Sequence, residues 1–209
     1  MTQGNPFRDG LASGVPKFCI PPQKTGKMKI EIPLNNASRL INSGQVILVT
    51  SAYKDKRNII TLAWSMPLSR TPALVGISVA KTHFSAELIR KSEEFIINIP
   101  DLDMLDKAMF CGKHSGREID KFSEAKLTAE KANRLIKTPR IAECIGHLEC
   151  YLRDVKETGD HFLFIGEVIY ACARKNLFDG VWDVDKIKLI YHLGGKIFTS
   201  SAEKIEGRY

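Results

Sequence analysis

The motifs of several large enzyme classes are absent from this 209-residue sequence. It has no GxGxxG after a predicted strand, no GK[S/T] loop and no HExxH. These absences argue against the usual dinucleotide-binding, nucleoside-triphosphate-binding and zinc-protease sites. Its five cysteines are odd in number and form no CxxC pair, which argues against a disulfide framework and a zinc ribbon. The histidines share no metal-ligand spacing, and we therefore expect no metal site.

Long apolar runs and dense charge runs are also missing. No apolar run reaches the ~20 residues that a membrane helix needs, and residues 1–14 lack the pattern of a signal peptide. We therefore expect a cytoplasmic protein without a membrane partner. The net charge of +7 would suit an anionic partner, but the lysines and arginines are scattered and no aromatic platform lies among them. A phosphorylated small molecule explains this charge as well as nucleic acid does.

Composition and periodicity divide the chain into an arm and one domain. Residues 1–25 are rich in proline and glycine and are predicted to form an extended arm, while residues 26–209 form a single domain. Many antiparallel strands around two or three helices are predicted there, which is typical of a β-barrel rather than of βαβ units. The predicted strands include residues 45–53, 57–67, 73–80, 94–100, 145–154 and 162–175; helices are predicted from residue 85 and over 101–110, one or two helical turns over 36–42, and a mixed, partly helical segment over 127–136.

Small side chains share one face of two neighbouring predicted strands. They are Thr61, Ala63 and Ser65 in the first strand, which alternate with bulky residues, and Gly76, Ser78 and Ala80 in the second. A buried strand normally carries larger aliphatic residues on such a face. The pattern therefore predicts that a flat ligand fills the missing volume, close enough to the backbone to bond its N–H and C=O groups.

A helix start follows the second of these strands. Lys81 precedes it, and either Thr82 or Ser85 is interpreted as its N-cap, because a hydroxyl can satisfy an orphan backbone N–H. Free N–H groups and the helix dipole favour an anion at such a position. The segment is thus a candidate phosphate site, although most capped helices bind no ligand.

Several motifs, taken in order, resemble one family. They are Asn58 with Thr61, Ala63 and Trp64, then Ala80-Lys81, then His114-Ser115-Gly116 with Asp120-Lys121-Phe122, then Gly159-Asp160-His161. Together they resemble the flavin reductase-like family of FMN-binding split β-barrels, most closely its flavoredoxin branch, from about Gln45 to Phe198. The resemblance implies a mainly β fold with a few helices, built as a Greek-key antiparallel split barrel. It also implies a homodimer with FMN near the subunit interface.

The resemblance implies roles for particular residues. His161 and Lys121 are the implied catalytic residues, both facing the flavin or its partner. A lysine near the flavin would stabilise the negative charge of the reduced ring and so raise its reduction potential. The implied FMN-binding residues are Asn58, Ile60, Thr61, Ala63, Trp64, Ser65, Ser78, Ala80, Lys81, Phe84, Ser85, Cys111, His114, Ser115, Lys121 and His161. Which of Tyr191, His192 and Phe198 covers the ring stays open.

Three hypotheses about function follow. The first is an FMN-dependent oxidoreductase that takes hydride from NAD(P)H and passes electrons to an acceptor. The second is a flavoredoxin-like carrier that holds FMN tightly and serves a redox protein partner without binding nicotinamide. The third is a basic β-barrel that binds nucleic acid. The small-residue faces and the missing aromatic platform argue against the third, and we expect no nucleic-acid partner.

Overall fold

The computed structural model describes residues 29–207. Residues from Leu34 onward belong to one folded unit, and residues 29–33 belong to a separate one. The arm predicted over residues 1–25 lies outside the described residues, and its boundary with the domain stays a prediction. Within the described range, no helix is both long enough and apolar enough to cross a membrane.

Strands make up most of the regular structure. They are β1 Ile47–Tyr53, β2 Lys56–Leu62, β3 Ser65–Arg70, β4 Ala73–Ala80, β5 Glu94–Ile99, β6 Ala129–Glu130, β7 Arg140–Ile141, β8 Gly146–Thr158, β9 His161–Ala173, β10 Phe178–Asp179, β11 Val181–Trp182, β12 Ile190–Gly194 and β13 Ile197–Ser200. The α-helices are α1 Phe84–Ser92, α2 Leu105–Lys113 and α3 Lys121–Glu124, and 3₁₀ helices cover Leu34–Leu40 and Leu102–Met104. The expectation of a mainly β protein with a few helices is confirmed.

Seven strands form one antiparallel sheet in the order β2-β1-β5-β8-β9-β4-β3. Its two edge strands, β2 and β3, are consecutive in the chain and are separated only by Ala63 and Trp64. The two edges must therefore lie close together, which requires the sheet to curve back on itself. The described ladders include no pairing between β2 and β3, so closure into a barrel stays a prediction.

The prediction of one strand over residues 57–67 is wrong. The chain leaves the ladder at Ala63 and Trp64, and the backbone carbonyl of Trp64 accepts a hydrogen bond from the N–H of Ser78 at 2.9 Å. Alternation of small and bulky residues continues through this break, so the pattern could not reveal it. Gly44 leaves room for the connector, because a Cβ built there would lie 1.9 Å from the Ala63 carbonyl oxygen.

The sheet is covered on both faces. One core cluster contains Val49, Ile77, Phe95 and Phe164 together with helix α1 residues, and a second packs around Leu48, Ile59, Phe122, Ile141 and Ile190. Alternate residues of β1 enter the two clusters, which explains why this strand reads as an almost continuous apolar run. The two cores fix β2 and β4, the strands that carry the small side chains.

The segment over residues 127–136 is not helical, contrary to its predicted tendency. Two buried carboxylates bind backbone N–H groups, one within this segment and one just after it, and these groups are then unable to bond carbonyls four residues back. The donors to Glu149 are the N–H groups of Asn133, Arg134 and Leu135, and the donors to Glu94 are those of Lys137 and Thr138, all at 2.7–3.1 Å. A tertiary interaction thus overrides the local preference.

Candidate functional site

Two adjoining cavities lie beside β2 and helix α2. The larger has a volume of about 560 Å³, and the smaller has a volume of about 210 Å³. Thr61, His83 and Gly112 line both, so the two cavities meet along β2. The larger volume falls within the ~300–1,000 Å³ that is usual for small-molecule and cofactor sites.

Small side chains from both predicted faces line the larger cavity. They are Thr61, Ala63, Ser78 and Ala80. Ser65 and Gly76 lie instead in a neighbouring recess of about 440 Å³. The Thr61 hydroxyl donates to the Ala108 carbonyl at 2.6 Å, which ties the floor of the cavity to α2.

Aromatic rings flank these small residues. Trp64 is 43% exposed, so it is not a core residue, and its ring centroid lies 5.1 Å from that of His161. His192 and Phe198, from β12 and β13, also line the cavity, with ring centroids 5.1 Å apart. Tyr191 packs against the apolar core instead. Tyr191, His192 and Phe198 were the three candidates for covering the flavin ring. The structure brings His192 and Phe198, but not Tyr191, to the cavity.

His161 is held by its neighbour in the chain. Its Nδ1–H donates to the Asp160 carboxylate at 2.7 Å, which leaves Nε2 as the acceptor of the neutral ring. His83 lies on the same wall, where burial and the nearby His161 and Lys121 lower its pKa.

Asn58 is a buried polar residue that lines the smaller cavity. Its side chain is 4% exposed, and its Nδ2 donates to the Ser85 hydroxyl at 2.9 Å. Its Oδ1 has no partner among residues 29–207. Gly116 approaches this oxygen so closely that a Cβ built there would lie 2.0 Å away. Any larger residue at 116 would therefore displace Asn58.

Helix α1 begins beside the smaller cavity, but neither predicted hydroxyl caps it. His83 is the N-cap and makes no side-chain capping bond. Ser85 lies within the first turn, where its hydroxyl bonds Asn58. The structure also places Lys81 outside both cavities, because its ammonium pairs with Glu157. A phosphate contact from Lys81 or Ser85 stays a prediction.

Lys121 lies beneath the smaller cavity as a buried cation. Its ammonium donates to the carbonyls of Ile59 and Cys111, both at 2.7 Å, and burial lowers its pKa. Burial raises the pKa of the Cys111 thiol to about 11, so this thiol stays protonated near neutral pH. Lys121 thus joins β2 to the end of α2 while adding positive charge near the site.

The remaining predicted residues also reach the smaller cavity. Those lining it are Ile60, Phe84, Cys111, His114 and Ser115. His114 Nδ1 lies 3.0 Å from the Phe110 carbonyl, and Ser115 accepts the Arg117 N–H at 3.2 Å. The predicted site is therefore brought together around two joined cavities, apart from Ser65, Lys81 and Ser85.

A comparison with known families gives a match over most of the chain. The model of the Flavin reductase like domain matches residues 39–195. The chain belongs to this family. It is 33% identical over 183 residues to YddH of Escherichia coli (strain K12), covering 84% of this chain and 96% of YddH.

Two other proteins that this chain resembles have names that state a role. The chain is 28% identical over 128 residues to the reductase component of 4-nitrophenol 4-monooxygenase/4-nitrocatechol 2-monooxygenase from Rhodococcus opacus, covering 61% of this chain and 65% of that protein. The flavoredoxin structure from Methanosarcina acetivorans matches with a TM-score of 0.74 and 26% identity, over 87% of this chain and 95% of that one. The resemblance seen in the motifs is therefore confirmed.

Sequence reasoning missed several residues that line the larger cavity. Asn35, Ser38, Arg39 and Asn42 line the larger cavity, as do His83, Met109, Gly194 and Gly195. The helical turn near residues 36–42 was predicted, but nothing local indicated that it would face the small-residue strands. Only the fold brings it there.

Proposed function

We propose that this protein binds FMN and transfers electrons from NAD(P)H, through FMN, to an acceptor. The observation that carries the proposal is the pair of joined cavities. The larger is walled by small side chains of β2 and β4, and the smaller is polar and adjoins the start of α1. A planar ring with an anionic tail matches this arrangement. Membership of the flavin reductase like family supports the same function.

The residues present fit FMN on grounds separate from the family. Asn58 Oδ1 is a buried acceptor without a donor among the described residues, and buried polar atoms are nearly always paired. A hydroxyl of the ribityl chain would supply that donor. The first-turn N–H groups of α1 would face the phosphate. The isoalloxazine ring would lie against Thr61, Ala63, Ser78 and Ala80.

The chain's own residues would orient the reaction. FMN supplies the electron chemistry when bound, and the protein supplies position and charge. His161 and Trp64 stand together on one wall and would contact the ring or a nicotinamide. The positive charge of Lys121 would favour the negative charge that a reduced flavin carries.

A flavoredoxin-like carrier is the second candidate, because the flavoredoxin of Methanosarcina acetivorans shares this fold at 26% identity. Such a carrier would exchange electrons with a redox protein and ignore nicotinamide. The nucleic-acid hypothesis, drawn from net charge, gains no support from the family assignment, and we do not propose it.

Anaerobic mixing of the FMN-loaded protein with NADH or NADPH separates these functions. The oxidoreductase predicts that the flavin bleaches within the time of one turnover. A flavin that dithionite reduces, but that neither nucleotide reduces, would instead favour the carrier. Protein that does not bind added FMN would contradict both.

We also propose that the protein is a homodimer with FMN near the interface. Trp64, just before edge strand β3, and Met66 and Leu68 within that strand are 40–50% exposed, and monomers rarely leave such an apolar row in water. Light scattering should give about twice the 23.4 kDa chain mass. Met66→Lys with Leu68→Lys should give monomers, whereas Ile136→Lys, at a residue 90% exposed elsewhere, should not.

A further inference from the structure

Arg39 is an exposed residue that lines the larger cavity and does not line the smaller one. It belongs to the 3₁₀ helix Leu34–Leu40, and its side chain lies near Gly194 at the end of β12. A Cβ built on Gly194 would lie 3.5 Å from Arg39 Cδ and 3.7 Å from Nη1. The Arg39 side chain therefore lies between its own 3₁₀ helix and the end of β12, at the cavity surface.

The guanidinium of Arg39 has no polar partner in the part of the chain that the structure describes. Within residues 29–207, Arg39 forms no ion pair and donates no side-chain hydrogen bond, whereas Arg57, Arg117, Arg140 and Arg153 each pair with a carboxylate. The described lining of the larger cavity also contains no aspartate or glutamate. Its ionisable groups are Arg39 and three histidines: His83, His161 and His192.

A cavity with this composition favours a negatively charged ligand. A guanidinium offers two parallel N–H donors that match the oxygens of a carboxylate or phosphate. The Asn35, Ser38 and Asn42 side chains line the cavity on the same side and add further polar groups. The wall therefore has the chemistry of an oxyanion subsite.

The phosphate of FMN has a separate place in the proposed arrangement. The smaller cavity adjoins the start of α1, and neither Arg39 nor any residue of 35–42 lines it. Both cavities share Thr61, His83 and Gly112, so a ligand lying along β2 reaches from one to the other while its tail points away from Arg39.

We propose that Arg39 determines specificity for the second ligand, binding the carboxylate or phosphate of a small anionic molecule that exchanges electrons with FMN. This inference rests on the proposed function, because it presupposes FMN against β2 and β4. The shared chemistry is an oxyanion, supplied either by a pyridine dinucleotide or by an aromatic carboxylate.

The test measures binding of matched probes to the FMN-loaded protein. Benzoate and its neutral counterpart benzamide are titrated calorimetrically, and NADH is titrated anaerobically by its effect on flavin absorbance. Wild-type protein should bind benzoate or NADH, with benzamide weaker than benzoate. Arg39→Gln should weaken anion binding about tenfold or more, because it removes the charged pair of N–H donors. Arg39→Lys should restore part of the loss.

Arg134→Gln is the control, because it removes the same charge from an exposed residue that lines neither cavity. A loss confined to NADH would assign the subsite to dinucleotide phosphates, and a loss confined to benzoate would assign it to carboxylates. Equal anion binding in Arg39→Gln and wild type, or a variant whose only defect is FMN affinity, would overturn the inference. Failure of the proposed function would appear separately, as wild-type protein that does not bind FMN.

Discussion

At the scale of single residues, Lys121 combines a structural and an electrostatic role. Its ammonium satisfies the carbonyls of Ile59 and Cys111, one on β2 and one at the end of α2. Because both carbonyls lie beside the smaller cavity, this buried charge fixes the geometry of the site. The same charge lies close to where FMN is proposed to bind.

Replacing Lys121 with methionine should destabilise the fold and lower the flavin reduction potential. Each buried carbonyl left without a donor costs about 1–3 kcal/mol, and loss of the positive charge disfavours the reduced flavin. Urea unfolding gives the stability, and redox titration of the FMN-loaded protein gives the potential. Lys113→Met, at an exposed lysine lining the same cavity, should change stability by no more than about 0.5 kcal/mol. If the flavin reduction potential of Lys121→Met equals that of wild type, the Lys121 charge does not stabilise the reduced flavin.

His147 should make stability depend on pH. Burial, with the Arg140 charge, lowers the pKa of His147 below its ordinary 6.5, although its bond to the Ile141 carbonyl and two glutamates act in the opposite direction. Below pH 6.5 the unfolded chain takes up a proton that the folded protein accepts only at lower pH. The free energy of unfolding should therefore fall as the pH drops through this window.

His147→Gln should reduce that pH dependence. Glutamine keeps an N–H for the Ile141 carbonyl but does not titrate. Urea unfolding at about pH 7.5 and about pH 5 measures the difference in each protein. An equal loss of stability in variant and wild type would show that His147 contributes nothing to the acid sensitivity.

Small residues on neighbouring strands predicted where a cavity lies, whereas local capping rules did not predict how helix α1 begins. Small residues in strands 57–67 and 73–80 predicted a cavity, because missing side-chain volume on neighbouring strands must be filled. The prediction that Thr82 or Ser85 caps helix α1 was wrong. His83 is the N-cap, and the Ser85 hydroxyl bonds the Asn58 side chain instead. Arg39 was missed because a lone surface arginine carries no local signal.

At the scale of elements, the irregular segment before β7 depends on two carboxylates rather than on its own sequence. Glu149 is fully buried and accepts three backbone N–H bonds from residues 133–135. Hydrophobic pattern alone cannot anticipate this, since the acceptor lies on β8. The same limitation explains why the break at Ala63 and Trp64 was missed: the turn between sheet edges is set by the whole sheet.

Glu149→Gln should release this segment without unfolding the sheet. Losing the charged acceptor should cost about 1.5–3 kcal/mol of stability, and amide exchange should accelerate at residues 133–135. Hydrogen exchange by mass spectrometry provides the measurement. Glu124→Gln, on an exposed residue of α3, serves as the control. Unchanged exchange at 133–135 would contradict the anchoring role.

At the scale of the whole molecule, the curved sheet brings distant parts of the chain to one place. The larger cavity takes residues from the 3₁₀ helix 34–40, from β2 and β4, from α2, and from β12 and β13. The predominance of strands and their antiparallel class could be predicted from alternation, whereas this convergence depends on sheet order. The ordered motifs identified the family because they come from segments that are distant in the chain and that this fold brings together.

The most direct test of the account is a titration of FMN-free protein with FMN, followed by flavin fluorescence and absorbance. Ala80→Leu adds volume to the larger cavity, and Ala171→Leu makes the same change at an exposed strand residue outside it. Wild type and Ala171→Leu should bind one FMN per chain. Ala80→Leu should bind about tenfold more weakly, since overfilling costs ~1–3 kcal/mol, with an unchanged circular dichroism spectrum. Wild-type protein that does not bind FMN, or Ala80→Leu that binds it equally well, would contradict the account.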